Sequence, residues 1–161
     1  MRIFEPHGGR ALTDDEIALA STIFGDAIDY ASVRIVRRKW AFFQPRDTVM
    51  APTGHIHFHP GNCRYCDDFG AASRDEQGLF IHEMTHVWQH QQGIFLPLRR
   101  PPFARYRYTV EPGKPFRRYG LEQQAEIVRH AFLWREGYPA PTGAARSWYE
   151  SILPFGAARS A

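Results

Sequence analysis

Cysteine is almost missing from this chain. Cys63 and Cys66 are the two in 161 residues, too few for a disulfide framework. No apolar run approaches the roughly 20 residues that a membrane span requires. The opening stretch, Met1 to Arg10, holds no apolar segment of the secretory-signal kind. The chain is therefore expected to be cytoplasmic, to take no membrane partner, and to be exported, if at all, by machinery that needs no signal peptide. Internal repeats are absent too. What is present suits a globular protein: 43% hydrophobic and 14% aromatic residues can build a core without staples. A single domain over 1–161 is expected, with its core at about 10–135 and a C-terminal tail at 139–161.

The two cysteines form one C-x-x-C, and His57 and His59 lie just upstream. A Cys2His2 metal site is conceivable, but the compact spacing suits a loop, so two reduced thiols are the expectation. The net charge of +3 is modest and unevenly spread. Arg99, Arg100, Arg105, Arg107, Lys114, Arg117 and Arg118 face Glu111 alone between Pro97 and Arg118. Phe103, Tyr106, Tyr108 and Phe116 are interleaved with them. This pattern fits either a solvated basic loop or a peptide-binding lid. Nucleic acid is not an expected partner, because no nucleic-acid-binding fold accompanies the basic residues.

Local signals divide the chain into alternating elements. Thr13-Asp-Asp-Glu16 has the form of a capping box and predicts a helix from Asp14 to Phe24, stopped by Gly25. Val33 to Arg38 reads as a strand with one solvated side. Thr48–Met50 and His55–His59 read as a hairpin about Pro52 and Gly54. The two-residue period places His55, His57 and His59 on one face, expected to be polar and half-exposed, with Ile56 and Phe58 on the other. A second capping box at Ser73 opens a helix running to about Gln92, with Gly93 as a left-handed cap. Five prolines exclude a regular helix between Ile94 and Arg118. Tyr119 to Arg135 predicts a third helix, and Trp148 to Leu153 a short one.

The chemistry concentrates in His82-Glu83-Met84-Thr85-His86. Residues four apart on a helix lie one above the other, so both imidazoles can reach one metal ion, with Glu83 beside them as general base. So short a motif also arises by chance, and its weight depends on context. The context agrees: the helix is capped at both ends, and Ile81, Met84, Val87 and Trp88 form its apolar stripe. Catalytic zinc takes three protein ligands. Glu122 or Glu126, on the following helix, is the candidate for the third. A His-His-Glu set favours Zn2+ over magnesium or calcium. One of the paired carboxylates would ligate while the other hydrogen-bonds a ligand histidine. Tyr119 and His130 are candidates to stabilise an oxyanion.

The helix-borne motif followed by Glu122-Gln-Gln-Ala-Glu126 resembles the gluzincin group of metallopeptidases. That resemblance implies Glu122 as the third ligand and Glu126 as the support of a ligand histidine, at a position where the group commonly has Asp. From about residue 10 to 135, the order of the Leu12-Thr13 helix, Phe24-Gly25-Asp26, Val33-Arg34-Ile35, Gly54-His-Ile-His-Phe58 and Phe80 to Gln89 is similar to a domain of unknown function associated with extracellular contractile injection systems. It is similar also to bacterial proteins described as Vgr-related, a label that does not imply a spike fold here. The expected fold is α+β with a zincin-like core: a small antiparallel or mixed sheet packed on an active-site helix and a second ligand-bearing helix. The expected activity is zinc-dependent hydrolysis of a peptide or protein substrate, linked to a contractile injection or type VI secretion apparatus. The alternative is a non-catalytic, zinc-containing assembly module of that machinery.

Overall fold

Thr13 caps the first helix as its sequence predicts. In the computed structural model, which describes residues 8–94, 96 and 106–156, its hydroxyl accepts from the Glu16 amide at 3.0 Å. The Glu16 carboxylate returns the bond to the Thr13 amide at 2.9 Å. Helix α1 (Asp14–Phe24) is preceded by strand β1 (Arg10–Ala11). Glu16 ties these elements together. Its buried carboxylate also takes both terminal nitrogens of Arg10, at 2.9 and 2.8 Å, and the amide of Phe69 at 2.9 Å. Removing it leaves two amides without this acceptor and takes from Arg10 its carboxylate partner, so Glu16→Ala is expected to cost about 3 kcal/mol, read from chemical denaturation. A loss below about 1 kcal/mol would show the network to be dispensable.

Strand β1 pairs antiparallel with β2 (Arg34–Val36), and β2 pairs parallel with β3 (Ile56–His57), giving a mixed three-stranded sheet. The expected hairpin is reduced to a single antiparallel bridge between Met50 and His57. The expected polar, half-exposed histidine face is corrected at His57 alone, since His55 and His59 are half-exposed. Ile56 and Phe58 are buried as predicted, but so is His57, whose Nδ1 lies 3.2 Å from the Arg38 carbonyl. His55 Nδ1 accepts from the Arg34 amide, and His59 Nδ1 from the Gly61 amide. Each ring is occupied by nearby backbone, so the three do not form a metal cluster. Cys63 and Cys66 are free thiols.

Helix α2 (Arg74–Gln91) is the centre of the molecule. Its Phe80 stacks on Phe69 at 5.5 Å, and Phe69 in turn stacks on Phe58 at 5.7 Å. The other side is not solvated: every residue from Gln77 to Gln89 is buried. Helix α3 (Leu121–Arg135) covers that polar face. Gly78 permits the approach, since a Cβ there would stand 3.2 Å from Arg129 Nε. A mid-helix glycine costs roughly 1 kcal/mol of helix propensity, offset here by the neighbouring side chain it admits. Helix α4 (Arg146–Ile152) follows, and Phe155 packs its ring against Trp88 and Phe24 at 5.0 and 4.8 Å. The tail is thereby fastened to the core. The described architecture is α+β, with four α-helices around a mixed sheet. Of the arginine-rich segment, Arg99, Arg100 and Arg105 lie outside the described residues.

Candidate metal centre

His82 and His86 project from one face of α2 toward α3, where Glu122 occupies the first turn. The Glu122 Oε2 lies 3.2 Å from His82 Nε2 and 3.2 Å from His86 Nε2. Among the described residues this is the one trio of metal-ligating side chains brought together, and all three are buried. Zinc–nitrogen and zinc–oxygen bonds near 2.0–2.1 Å place adjacent atoms of a tetrahedral set about 3.3 Å apart. The two nitrogen–oxygen spacings match that value, and all three ligand atoms lie within 4.8 Å of one another.

The remaining ring nitrogens explain why both Nε2 atoms point inward. His82 Nδ1 is 2.7 Å from a Glu126 carboxylate oxygen, so Nδ1 carries the proton. His86 Nδ1 is 2.8 Å from Gln89 Oε1. The orientation of that amide is fixed independently. Gln89 Nε2 donates to the Leu121 carbonyl at 3.1 Å and to Gln124 Oε1 at 3.0 Å, and Gln124 Nε2 donates to the Tyr119 carbonyl at 2.8 Å. Gln89 can therefore only accept from His86. With both Nδ1 atoms so engaged, each imidazole turns its Nε2 to the Glu122 carboxylate, and loss of any proton held there would leave a donor set that fits a cation. Gln89 is fully buried, and its place three residues after His86 is the signal that could have identified it. Gln89→Leu should weaken zinc affinity by about 10- to 100-fold, measured by chelator competition. Unchanged affinity would mean that the amide does not set the tautomer.

The electrostatics agree. Burial alone would lower the His82 pKa, but Glu122 and Glu126 outweigh it and raise it to about 9. Burial would raise both carboxylates, and the histidines instead hold Glu122 well below the usual range and Glu126 below it. Without a metal, the site keeps a proton on His82. That proton stabilises the metal-free fold in full below about pH 6.5, the ordinary histidine value, and the benefit fades as pH rises through 9. Loading zinc at pH 7 must expel it, so about one proton should be released per metal, falling toward none above pH 9. Calorimetry in buffers of different ionisation enthalpy reads this number. Zero release at pH 7 would contradict it.

A cavity of about 240 Å3 opens over the trio. Glu83 lines it with His82 and His86, and Asp47, Thr48, Val49, Tyr106 and Arg129 contribute to its wall. The Tyr106 ring lies over His82 at 6.1 Å, 26° from parallel. Arg129 sits 3.6 Å from Glu126 and 3.0 Å from Asp75. Of these wall residues the sequence singled out Tyr106 alone, as an aromatic of the basic segment read as a solvated loop or a peptide-binding lid. Arg129, three residues beyond Glu126, is the one whose position could have suggested it.

Tyr119 and His130 are not brought to this cavity. Tyr119 is buried beneath the chain before α3, donating to the Thr109 carbonyl and accepting from the Glu111 amide. His130 is two turns, about 12 Å, beyond Glu122. It lines a neighbouring cavity of about 490 Å3 with Tyr108 and Thr142. Its Nδ1 is 2.6 Å from the Tyr108 hydroxyl, and its Nε2 is 3.6 Å from Glu126. Burial holds it below its ordinary value, hence neutral at pH 7. It is not among the residues that line the cavity over the trio.

No family model matches the chain. It is 45% identical over 137 residues to the type VI secretion system spike protein VgrG2b of Pseudomonas aeruginosa. That match takes in 80% of the chain and 13% of the spike protein, so the chain spans only a small part of that relative's length. It is also similar to the solved effector domain of P. aeruginosa VgrG2b, with a TM-score of 0.77 and 41% identity over 90% of this chain and 83% of that one. Both comparisons carry the type VI secretion association that the Vgr-related resemblance implied.

Proposed function

This chain belongs to the family of the VgrG2b effector domain, and from that premise we propose that it is a zinc-dependent peptidase carried by a type VI secretion apparatus. The observation that supports this reading is one arrangement of side chains. Two imidazole Nε2 atoms and a Glu122 oxygen converge at 3.2 Å spacings, and Glu83 stands in the same cavity. The nitrogen-nitrogen-oxygen donor set favours zinc over magnesium or calcium. The zincin-like character of the fold belongs to this proposal: a motif helix crossed by the helix that carries the third ligand.

Zinc held there would supply Lewis-acid polarisation of a carbonyl and acidify a water to near neutral pH. The protein's own residues do the rest. His82, His86 and Glu122 hold the metal, and Glu126 and Gln89 fix the imidazole tautomers. Glu83 receives the proton of the attacking water and passes it to the leaving amine. Asp47 to Val49 and Tyr106 line the same cavity and would contact a substrate there. The spike-borne position of the relative suggests the route of delivery, with the domain as cargo.

An assembly module with a structural zinc is the competing reading. It requires a fourth protein ligand closing the site, and among the described residues the cluster has three. Exposure of the zinc-loaded protein to a broad peptide library tests the proposal. Cleavage that disappears in Glu83→Gln supports it, and absence of cleavage by the loaded protein opposes it.

A further inference from the structure

The most exposed apolar residues of the described chain sit together on one turn. Phe42 is 90% exposed and Phe43 59%. They occupy the two central positions of a turn closed by the Gln44 amide donating to the Ala41 carbonyl at 3.0 Å. Trp40 joins them, its ring 6.2 Å from that of Phe43, which lies 5.3 Å from that of Phe42. Turn centres favour Gly, Asn, Asp or Pro. Two phenylalanines there violate the local rule with no gain in folding, and such violations mark function.

The turn is rigidly held. Gln44 is buried beneath it, accepting from the Trp40 amide at 2.8 Å and donating to the Thr48 and His57 carbonyls at 2.9 Å each. The aromatic tip is thus clamped to β3, and the chain leaving it, Asp47 to Val49, becomes the wall of the zinc cavity. The charge beside the tip is mainly positive, with the exposed Asp47 as the nearest carboxylate in sequence. Positions 33–46 hold Arg34, Arg37, Arg38, Lys39 and Arg46 and no carboxylate. Arg38, Lys39 and Arg46 are exposed.

We propose that the Trp40–Phe43 turn, with Arg38, Lys39 and Arg46 beside it, is a docking element for an anionic lipid bilayer. Aromatic side chains settle at the headgroup level while arginine and lysine meet anionic lipids. The size of the patch favours a bilayer over a protein. Three partly exposed rings offer roughly 400 Å2, about half of the ~800 Å2 that one partner gives to a specific protein interface. A protruding tip needs no complementary pocket in lipid. No described helix is long and apolar enough to cross a membrane, so the docking is peripheral. It would bring the mouth of the zinc cavity to the bilayer surface. The proposal stands apart from the peptidase reading, and its test has no catalytic readout.

Sedimentation of the full chain with vesicles decides it, using phosphatidylglycerol mixed with phosphatidylcholine against phosphatidylcholine alone. The wild type should pellet with the anionic vesicles, less as salt rises and much less with phosphatidylcholine. The F42S/F43S double variant should bind at least about tenfold more weakly at an unchanged melting temperature, and Lys39→Glu should also weaken binding. Three results overturn the proposal: no binding to anionic vesicles at low salt, equal binding to both vesicle types, or binding indifferent to F42S/F43S. Light scattering that shows self-association lost in F42S/F43S, without vesicle binding, would assign the tip to a second copy of the chain instead.

Discussion

Glu83→Gln should lower peptide hydrolysis by about 10^2- to 10^4-fold, the usual worth of a general base, while zinc affinity stays within a few-fold of wild type. The two halves of that expectation come from geometry. Glu83 lies one residue from His82 on α2 and lines the same cavity, so it faces the reacting space. It is absent from the trio whose atoms converge on a common point. Glutamine keeps the shape and removes the base. A variant that loses zinc together with activity would place Glu83 among the ligands. A variant that keeps full activity would remove it from the mechanism.

The second large effect concerns Glu122. Apparent zinc-binding energies of about 10–16 kcal/mol shared over four ligands give roughly 3 kcal/mol for each, or about a 10^2-fold change in affinity. Glu122→Ala should weaken zinc by at least that much and extinguish hydrolysis at limiting metal. Glu126→Gln should cost less, about 10- to 100-fold, because Glu126 acts through the Nδ1 proton of His82. The order of the two effects is the informative quantity. Chelator competition on both variants measures it, and a larger loss for Glu126→Gln would exchange their roles.

The parts of this site that follow helical periodicity were legible in the sequence. His82 and His86 share a face because they are four apart, and Glu122 and Glu126 share theirs for the same reason. The caps at Thr13, and at Ser73 with Gly93, are local chemistry, and they stand where their residues predict. What escaped depends on contacts distant in sequence. Gln89 matters because Leu121 and Gln124, more than thirty residues on, fix its amide. The wall from Asp47 to Val49 exists because Gln44 hangs the preceding turn on His57. Tyr119 and His130 were candidates for the site by their hydrogen-bonding chemistry alone. Their rings follow instead the packing of Thr109, Glu111 and Tyr108. The strands were the least legible: β1 and β3 have two residues each, and their pairing is set by burial of Ile35 and Ile56 more than by propensity. Of the histidines of the predicted polar face, His57 went inward with them, while His55 and His59 stayed half-exposed.

X-ray absorption at the zinc edge, on wild-type protein purified without chelator and loaded with zinc, tests the central claim most directly. The account predicts one zinc per chain bound by two imidazole nitrogens and one carboxylate, with a further light-atom position exchangeable with solvent, and the same spectrum for Glu83→Gln. A protein that takes up no zinc, or a zinc closed by sulfur or by four protein ligands, would contradict it.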